Sequence, residues 1–213
     1  MQRSVDESLT SWPLLVVDTE TTGLPKDKDA CVVELGAVII DRDGEELASW
    51  SSLVRPPRAA LACDGADEAM AVHGIDLALL ERAPEAHHVE RCFLEWVALR
   101  GLYVGGITSW RWSFDGCMLA RLGAGRIAEL HTARCVHDAA RAHFGKMGRR
   151  YGPTLEDVAQ ALGVPVPQGR HRALADARLA GQVAVALDRI AADSGIRSFF
   201  YEPPAHLAMG GAA

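Results

Sequence analysis

The fold is decided by residues 14–23, which read LLVVDTETTG. Four consecutive apolar residues, two of them β-branched, predict a strand that is buried on both faces in the middle of a sheet. Asp18 and Glu20 follow, and side chains two positions apart on a strand point to the same face. We therefore expect both carboxylates to be directed at one spot beside the buried strand.

The charges of Asp18 and Glu20 need compensation. Two neighbouring carboxylates at the end of a buried strand raise the pKa of at least one of them unless a partner offsets the charge. The simplest partner is a divalent cation bound by oxygen ligands. The alternative is that Asp18 caps a turn and Glu20 is solvated, and these ten residues alone favour neither interpretation.

The composition is that of an ordinary globular protein. Of 213 residues, 49% are hydrophobic and 23% are charged, which fits one domain with a substantial core and short extensions. The formal net charge of −6 provides no basic surface of the usual nucleic-acid-binding kind. It argues against broad electrostatic capture of DNA or RNA, but not against a metal-lined active site with acidic ligands.

The cysteines and the hydropathy favour a cytoplasmic protein. The five cysteines are scattered, odd in number and without a CxxC pair, which predicts reduced residues in a reducing compartment. No apolar run approaches the length of a membrane span, and the N-terminus lacks a signal-peptide pattern. We expect a soluble, intracellular protein without a membrane partner.

Apolar runs predict four strands. After the central strand, residues 31–40 and 46–54 form two strands joined by turn residues at 41–44. The first three strands thus predict an antiparallel meander, and residues 102–108 predict a fourth strand. Helices are expected at 67–72, 77–82, 84–99, 114–122, 135–144, 154–163 and 172–190.

The chain contains no internal repeat and no second hydrophobic core. It predicts one α/β domain over residues 13–192, whose mixed central sheet opens with the three-stranded antiparallel meander and is flanked by helices. Residues 1–12 are expected to be an N-terminal extension and residues 193–213 a C-terminal tail. Three aromatic residues at 199–201 either dock a partner or fold back on the domain.

A second group of reactive side chains lies at 171–176, which reads HRALAD. Five residues are about 140° of helical rotation, so His171 and Asp176 face different ways unless His171 lies in the preceding loop and folds back. Asp176 shares a helix face with apolar residues, namely Ala180, Val183 and Leu187. The alternatives are a buried Asp176 paired with Arg172 or acting as a cap, and a His171 that is only a surface residue.

A third group follows the fourth strand at 110–119, which reads WRWSFDGCML. Asp115 is expected at or near a helix N-terminus, where capping is the ordinary role. A bound metal or phosphate would use the same position, and the segment alone does not decide between these roles.

The three groups together resemble the motifs of the DEDDh exonucleases. This family includes bacterial polymerase proofreading subunits, ribonuclease T and related 3′-to-5′ exonucleases. The resemblance covers residues 13–192 with the motifs in order. In addition, 33–38 (VELGAV) resembles the family's second strand, and 72–75 (VHGI) resembles its loop beside the substrate's 3′ end.

The resemblance implies a ribonuclease-H-like fold and hydrolysis of nucleotides from the 3′ end of single-stranded DNA or RNA with two Mg²⁺ or Mn²⁺ ions. It implies that His171 is the general base and that four carboxylates hold the metal, namely Asp18, Glu20, Asp115 and Asp176. Substrate contacts are expected from Thr19, Thr21, His73, Gly74, Ile75, Trp110, Trp112 and Phe114.

One departure from the family pattern concerns the substrate. Many relatives carry a His-Asn pair shortly before the Phe-Asp, whereas residues 109–113 read SWRWS. Together with 135–138 (CVHD), this segment loosely resembles the RNA-directed branch of the family. Trp110 and Trp112 can stack on bases, with buried packing as the alternative for at least one of them.

The sequence leaves other functions open. The exonuclease would act alone, as a homodimer, or with a polymerase or another protein partner. A binding or scaffold protein that keeps the fold without catalysis is the alternative, although the complete set of carboxylates and histidine argues against it. A non-nuclease phosphohydrolase with the same metal site is a third possibility.

Overall fold

The computed structural model describes residues 13–100, 106–127, 132–169, 171–191 and 199. Within them, the strands are β1 (Leu14–Thr21), β2 (Val32–Ile40), β3 (Glu46–Leu53), β4 (Gly106–Ser109) and β5 (Thr132–Cys135). They form one sheet in the order β3-β2-β1-β4-β5. β1, which carries the first carboxylate pair, is therefore the middle strand.

The sheet is mixed. β1 pairs antiparallel with β2, and β2 pairs antiparallel with β3, so the first three strands are consecutive antiparallel neighbours. β4 runs parallel to β1, and β5 runs parallel to β4.

Helices cover both faces of this sheet. They are α1 (Ala66–His73), α2 (Leu77–Arg82), α3 (Ala86–Arg100), α4 (Trp112–Leu122), α5 (Val136–Phe144), α6 (Leu155–Ala161) and α7 (Ala173–Ala191), and a 3-10 helix spans Arg58–Ala62. α5, α6 and α7 pack on one face, and α3 and α4 pack on the other. The predicted α/β fold, a mixed sheet flanked by helices, is confirmed. Among the described helices, none combines the length and apolar character needed to span a membrane.

β1 is buried on both faces, as its apolar run predicts. Leu14 and Val16 belong to the core under α7, whereas Leu15 and Val17 belong to the core under α3 and α4. These side chains are at most 1% exposed. The strand extends to Thr21, so its two carboxylates lie within the sheet rather than after its end.

The structure adds one strand that the sequence did not predict. Residues 135–144 were expected to be helical, whereas Thr132–Cys135 forms β5 and α5 begins at Val136. β5 has four residues, contains no apolar run and pairs only with β4 within the described sheet, so its pattern does not distinguish it from a loop. Of the predicted fourth strand, residues 102–105 lie outside the described residues, and β4 covers Gly106–Ser109.

The predicted extension 1–12 lies outside the described residues, and so does the predicted tail apart from Phe199. Phe199 is 3% exposed and packs in the same core cluster as α7. Its backbone N–H donates a hydrogen bond of 2.8 Å to Oδ1 of Asp188. At this residue the chain folds back on the domain, which is one of the two expected alternatives.

Candidate active site

A cavity of about 310 Å³ opens beside the second half of β1. Four segments form its wall: β1, α1, the start of α4 with the residues before it, and the first turn of α7 with its preceding loop. The lining residues are Asp18, Thr19, Glu20, Thr21, Ala69, Val72, His73, Trp110, Arg111, Phe114, Asp115, His171 and Asp176. The three sequence groups therefore meet in one place.

Three of the predicted carboxylates form a compact group. Asp18 and Glu20 come from β1, Asp176 comes from the first turn of α7, and one oxygen of each lies within 4.8 Å of the other two. The two strand residues share a face, as their spacing predicts. Oxygens at this separation can bind a common cation, because hard divalent ions take several carboxylate ligands.

Gly36 of β2 allows the first turn of α7 to approach the sheet closely. A Cβ on Gly36 of β2 would lie 2.2 Å from the backbone nitrogen of Leu174, so any larger residue would overlap the first turn of the helix. The close approach places Asp176 beside β1. Farther along the same helix face, Ala180 and Val183 are fully buried, as the sequence predicts.

Glu20 is unusually difficult to ionise. It is 9% exposed, and burial, followed by the negative charges of Asp176, Glu34 and Asp115, raises its pKa from 4.5 to about 7. Such a group of acids is unfavourable without a positive partner. The geometry therefore favours the metal interpretation of the first motif over a solvated Glu20.

Asp115 lies in the first turn of α4 and is 3% exposed. Its Oδ1 accepts hydrogen bonds from the backbone N–H of Thr19 at 3.1 Å and from the Thr19 hydroxyl at 2.8 Å. Burial raises the pKa of Asp115 to about 6. Asp115 lines the same cavity, but its oxygens are not within 4.8 Å of all three other carboxylates. Its hydrogen bonds with Thr19 link α4 to β1.

His171 lies in the loop before α7 and folds back over the helix start, as expected. Its backbone N–H donates a hydrogen bond of 3.3 Å to Oδ2 of Asp176. Its φ of +63° is in the left-handed region, which is uncommon for a residue with a side chain. The exposed imidazole lines the cavity.

His73, the last residue of α1, also lines the cavity and is 6% exposed. Its Nδ1 accepts a hydrogen bond of 3.1 Å from the backbone N–H of Ile75, so the proton of the neutral ring lies on Nε2. Nε2 is buried and has no hydrogen-bond partner among the described residues. Burial lowers the pKa of His73, which favours the neutral ring. Gly74, with φ of +62°, ends α1, and neither it nor Ile75 lines the cavity.

The aromatic residues of the third group divide between the cavity and the core. Trp110 and Phe114 line the cavity, and Trp110 also makes an edge-to-face contact with His137 at 5.3 Å. Trp112 does not line it and instead packs against the core under α3 and α4. Arg111 lines the cavity too, and the sequence analysis did not single it out.

A second group of possible metal ligands consists of Cys135, His137 and Asp138, whose ligand atoms lie within 4.8 Å of one another. It lies at the N-terminus of α5, where the helix dipole disfavours a cation. The Arg111 guanidinium lies 3.5 Å from Nε2 of His137, and the Cys135 thiol donates to the carbonyl of Trp110. We therefore assign no metal to this group.

The fold has counterparts among solved structures. The nuclease domain of 3′hExo, described as a DEDDh family member bound to rAMP, matches with a TM-score of 0.64 at 16% identity, over 86% of this chain and 94% of that chain. S. pombe Pop2p in its Mg²⁺- and Mn²⁺-bound form matches with a TM-score of 0.67 at 14% identity, over 87% and 86%. The zinc-bound complex of E. coli ExoI with single-stranded DNA matches with a TM-score of 0.64 at 15% identity, over 84% of this chain and 41% of that chain.

At these identities the likeness establishes the fold, which is the ribonuclease-H-like fold of nucleases. None of the curated proteins matches this chain in sequence. The exonuclease family model named RNase T matches residues 15–184, which is most of the chain. The chain belongs to this exonuclease family, and the resemblance to its DEDDh members is confirmed. The family and the carboxylate group together support the use of a divalent metal.

Proposed function

We propose that this protein is a 3′-to-5′ exonuclease that removes nucleotides from the 3′ end of single-stranded DNA or RNA. The observation that carries the proposal is the convergence of Asp18, Glu20 and Asp176 within 4.8 Å, in one cavity with Asp115 and His171. The catalytic unit is the domain 13–192, with 1–12 and 193–213 as flanking segments. The family match over 15–184 supports these limits.

Asp18, Glu20 and Asp176 would hold Mg²⁺ or Mn²⁺, with Asp115 as the fourth carboxylate. The donor set fits, because it consists only of oxygens and because burial, followed by the neighbouring carboxylates, raises the pKa of Glu20, a cost that a bound cation would offset. Two ions would balance about four carboxylates, and when bound they would stabilise negative charge on the oxygens of the phosphate under attack.

His171 would be the general base. Its imidazole lines the cavity, and the hydrogen bond from its backbone to Asp176 keeps it beside the carboxylate group. In its neutral form, one ring nitrogen accepts a proton from the water that attacks the terminal phosphodiester. The bond between that phosphorus and the 3′ oxygen of the preceding nucleotide then breaks, a nucleoside monophosphate is released, and the 3′ oxygen takes up a proton from solvent to become the new 3′ hydroxyl.

The remaining lining residues would bind the last nucleotide. Nε2–H of His73 is a buried donor without a partner among the described residues, and it fits an oxygen of the terminal sugar or phosphate. Trp110 and Phe114 offer ring faces to a base, and Arg111 offers a guanidinium to a phosphate. Thr19 and Thr21 line the cavity on the same strand as Asp18 and Glu20, whereas Gly74 and Ile75 belong to the loop that would position His73.

The test uses 5′-labelled single-stranded DNA and RNA oligonucleotides, incubated with Mg²⁺, Mn²⁺ or EDTA. We expect shortening from the 3′ end in single-nucleotide steps that stops in EDTA and in the Asp18→Asn variant. An oligonucleotide with an inverted 3′-terminal linkage should resist shortening. Internal cuts as first products, or full activity in EDTA, would contradict the proposal. Binding without any cleavage would instead favour the non-catalytic alternative.

A further inference from the structure

Glu34 is a fifth carboxylate beside the active site; it is buried, and its oxygens already have partners. It lies on β2 directly opposite Glu20 in the strand register and is 4% exposed. The Arg172 guanidinium donates to both of its oxygens, from Nε at 3.2 and 3.0 Å and from Nη2 at 2.7 Å. The backbone N–H of Ala173 donates to Oε2 at 3.0 Å. Glu34 is therefore a hydrogen-bond acceptor for the start of α7 and not a member of the metal-binding group.

The two donors to Glu34 are the residues that immediately follow His171. A residue held at a positive φ persists only where its surroundings fix the backbone. On one side of His171, its own N–H is bound to Asp176. On the other side, Arg172 and Ala173 are bound to Glu34. The backbone of His171 is thus restrained from both directions.

We propose that the Glu34–Arg172 ion pair positions His171 for catalysis. The inference rests on the proposed function, in which His171 is the general base. Both members are positioning residues: they act through the backbone of the loop before α7. A bidentate guanidinium–carboxylate pair suits this role, since two parallel hydrogen bonds fix orientation as well as distance. The Arg172 side chain is half exposed, so without the ion pair it could adopt many conformations.

Two substitutions test the pair. Glu34→Gln removes one charge, and Arg172→Lys keeps the charge but loses the bidentate geometry. We expect each to lower the single-turnover rate at saturating oligonucleotide about 10–100-fold, because small displacements of a catalytic group have effects of this size. Oligonucleotide affinity and the Mn²⁺-induced rise in melting temperature should be retained. Arg172→Lys also serves if Glu34→Gln does not fold.

The matched control is Glu46→Gln. Glu46 forms a second bidentate pair that joins β3 to the same helix, with Arg178 Nε at 2.7 Å and Nη2 at 2.8 Å, but neither residue lines the cavity. This variant should cleave at the wild-type rate. An equal loss of rate in Glu46→Gln would mean that any loosening of α7 impairs cleavage, and the specific role of Glu34 would be refuted.

A double variant separates positioning from electrostatics, because the charge of Glu34 also contributes to the raised pKa of Glu20. His171→Ala alone should lower the rate about 10²–10⁴-fold. If Glu34 acts through His171, adding Glu34→Gln to His171→Ala should cost less than about threefold more, because the base is already absent. If Glu34→Gln instead lowers the rate of the His171→Ala protein by the same 10–100-fold, Glu34 acts on the carboxylates that would hold the metal and not through His171. That result would overturn the inference.

The two proposals fail in different ways. A folded, metal-binding His171→Ala protein that cleaves at nearly the wild-type rate would refute the general-base role, and with it the basis of this inference. A slow His171→Ala protein together with a fully active Glu34→Gln protein would refute only the positioning role of the ion pair.

Discussion

At the scale of single residues, Glu20 loses hydration and gains negative neighbours when the chain folds. Burial is the main reason that its pKa rises from 4.5 to about 7. Between these two values the folded state binds more protons than the unfolded state, so stability decreases as pH increases. A shift of this size corresponds to on the order of 3 kcal/mol in the free energy of unfolding, lost as pH rises through about 7.

We predict that the melting temperature in EDTA falls as the pH rises from about 5 to about 8, and that Mg²⁺ or Mn²⁺ removes much of this fall, since a bound cation offsets the carboxylate charge. Glu20→Gln should reduce the dependence on pH, because it removes the titrating group. Glu81→Gln, at an exposed position of α2, is the control and should leave the dependence unchanged. A Glu20→Gln protein with the wild-type profile would show that other groups cause it. Scanning calorimetry across the pH range provides the measurement.

The sequence was informative about residues whose relation is local. Asp18 and Glu20 share a strand face because of the pleat, and His171 had to leave the helix to approach Asp176. Arg111 and Glu34 were not predicted as neighbours of the site. Their positions depend on which strands pair and on how α7 packs, and no local pattern specifies those contacts.

At the scale of elements, the site depends on the contact between α7 and β2. Gly36→Ala would place a methyl group 2.2 Å from the backbone nitrogen of Leu174, and relieving that overlap requires the first turn of α7 to move, which costs more than moving a flexible side chain. We predict a loss of about 1–3 kcal/mol in the free energy of unfolding, and a loss of cleavage because the start of α7 shifts away from β1. Chemical denaturation and the oligonucleotide assay measure the two effects.

The control for this prediction is Gly181→Ala, on the same helix. There a methyl group would approach only side-chain atoms, with the Ile40 Cδ1 atom at 3.0 Å, and alanine gains up to about 1 kcal/mol in helix propensity. Gly181→Ala should keep cleavage. Equal activity of Gly36→Ala and the wild type would mean that the first turn of α7 tolerates displacement.

The elements also differ in how well the sequence predicts them. α3 was recognised from Val89, Phe93 and Val97, whose buried side chains recur every four residues. α6, expected over 154–163, begins with a capping box between Thr154 and Asp157, a local pattern that the sequence carries. The sequence did not predict β5, because four residues are too few to show a periodic pattern. This strand is defined only by its pairing with β4. Long amphipathic elements are thus readable from the sequence, whereas short edge strands depend on tertiary pairing.

At the scale of the whole molecule, the question is whether the predicted tail stabilises the domain. Phe199 lies in the core cluster with α7, and its N–H binds Asp188, which also lies 3.9 Å from Nε of Arg42. This contact joins a residue beyond the last helix to α7 and to the turn between β2 and β3. A buried phenylalanine of this kind contributes to stability in proportion to the apolar surface it removes from water.

We predict that Phe199→Ala lowers the free energy of unfolding by about 3–5 kcal/mol, the range for truncating a buried phenylalanine. Cleavage by the protein that remains folded should be unchanged, since Phe199 does not line the active-site cavity. Tyr151→Ala is the matched control, because that aromatic ring is 67% exposed and its removal should cost little. Urea denaturation of both variants provides the measurement. Two results together would contradict this prediction: Phe199→Ala is as stable as the wild type, and a chain ending at Ala192 no longer binds a protein that the full chain binds. The tail would then dock a partner rather than complete the core.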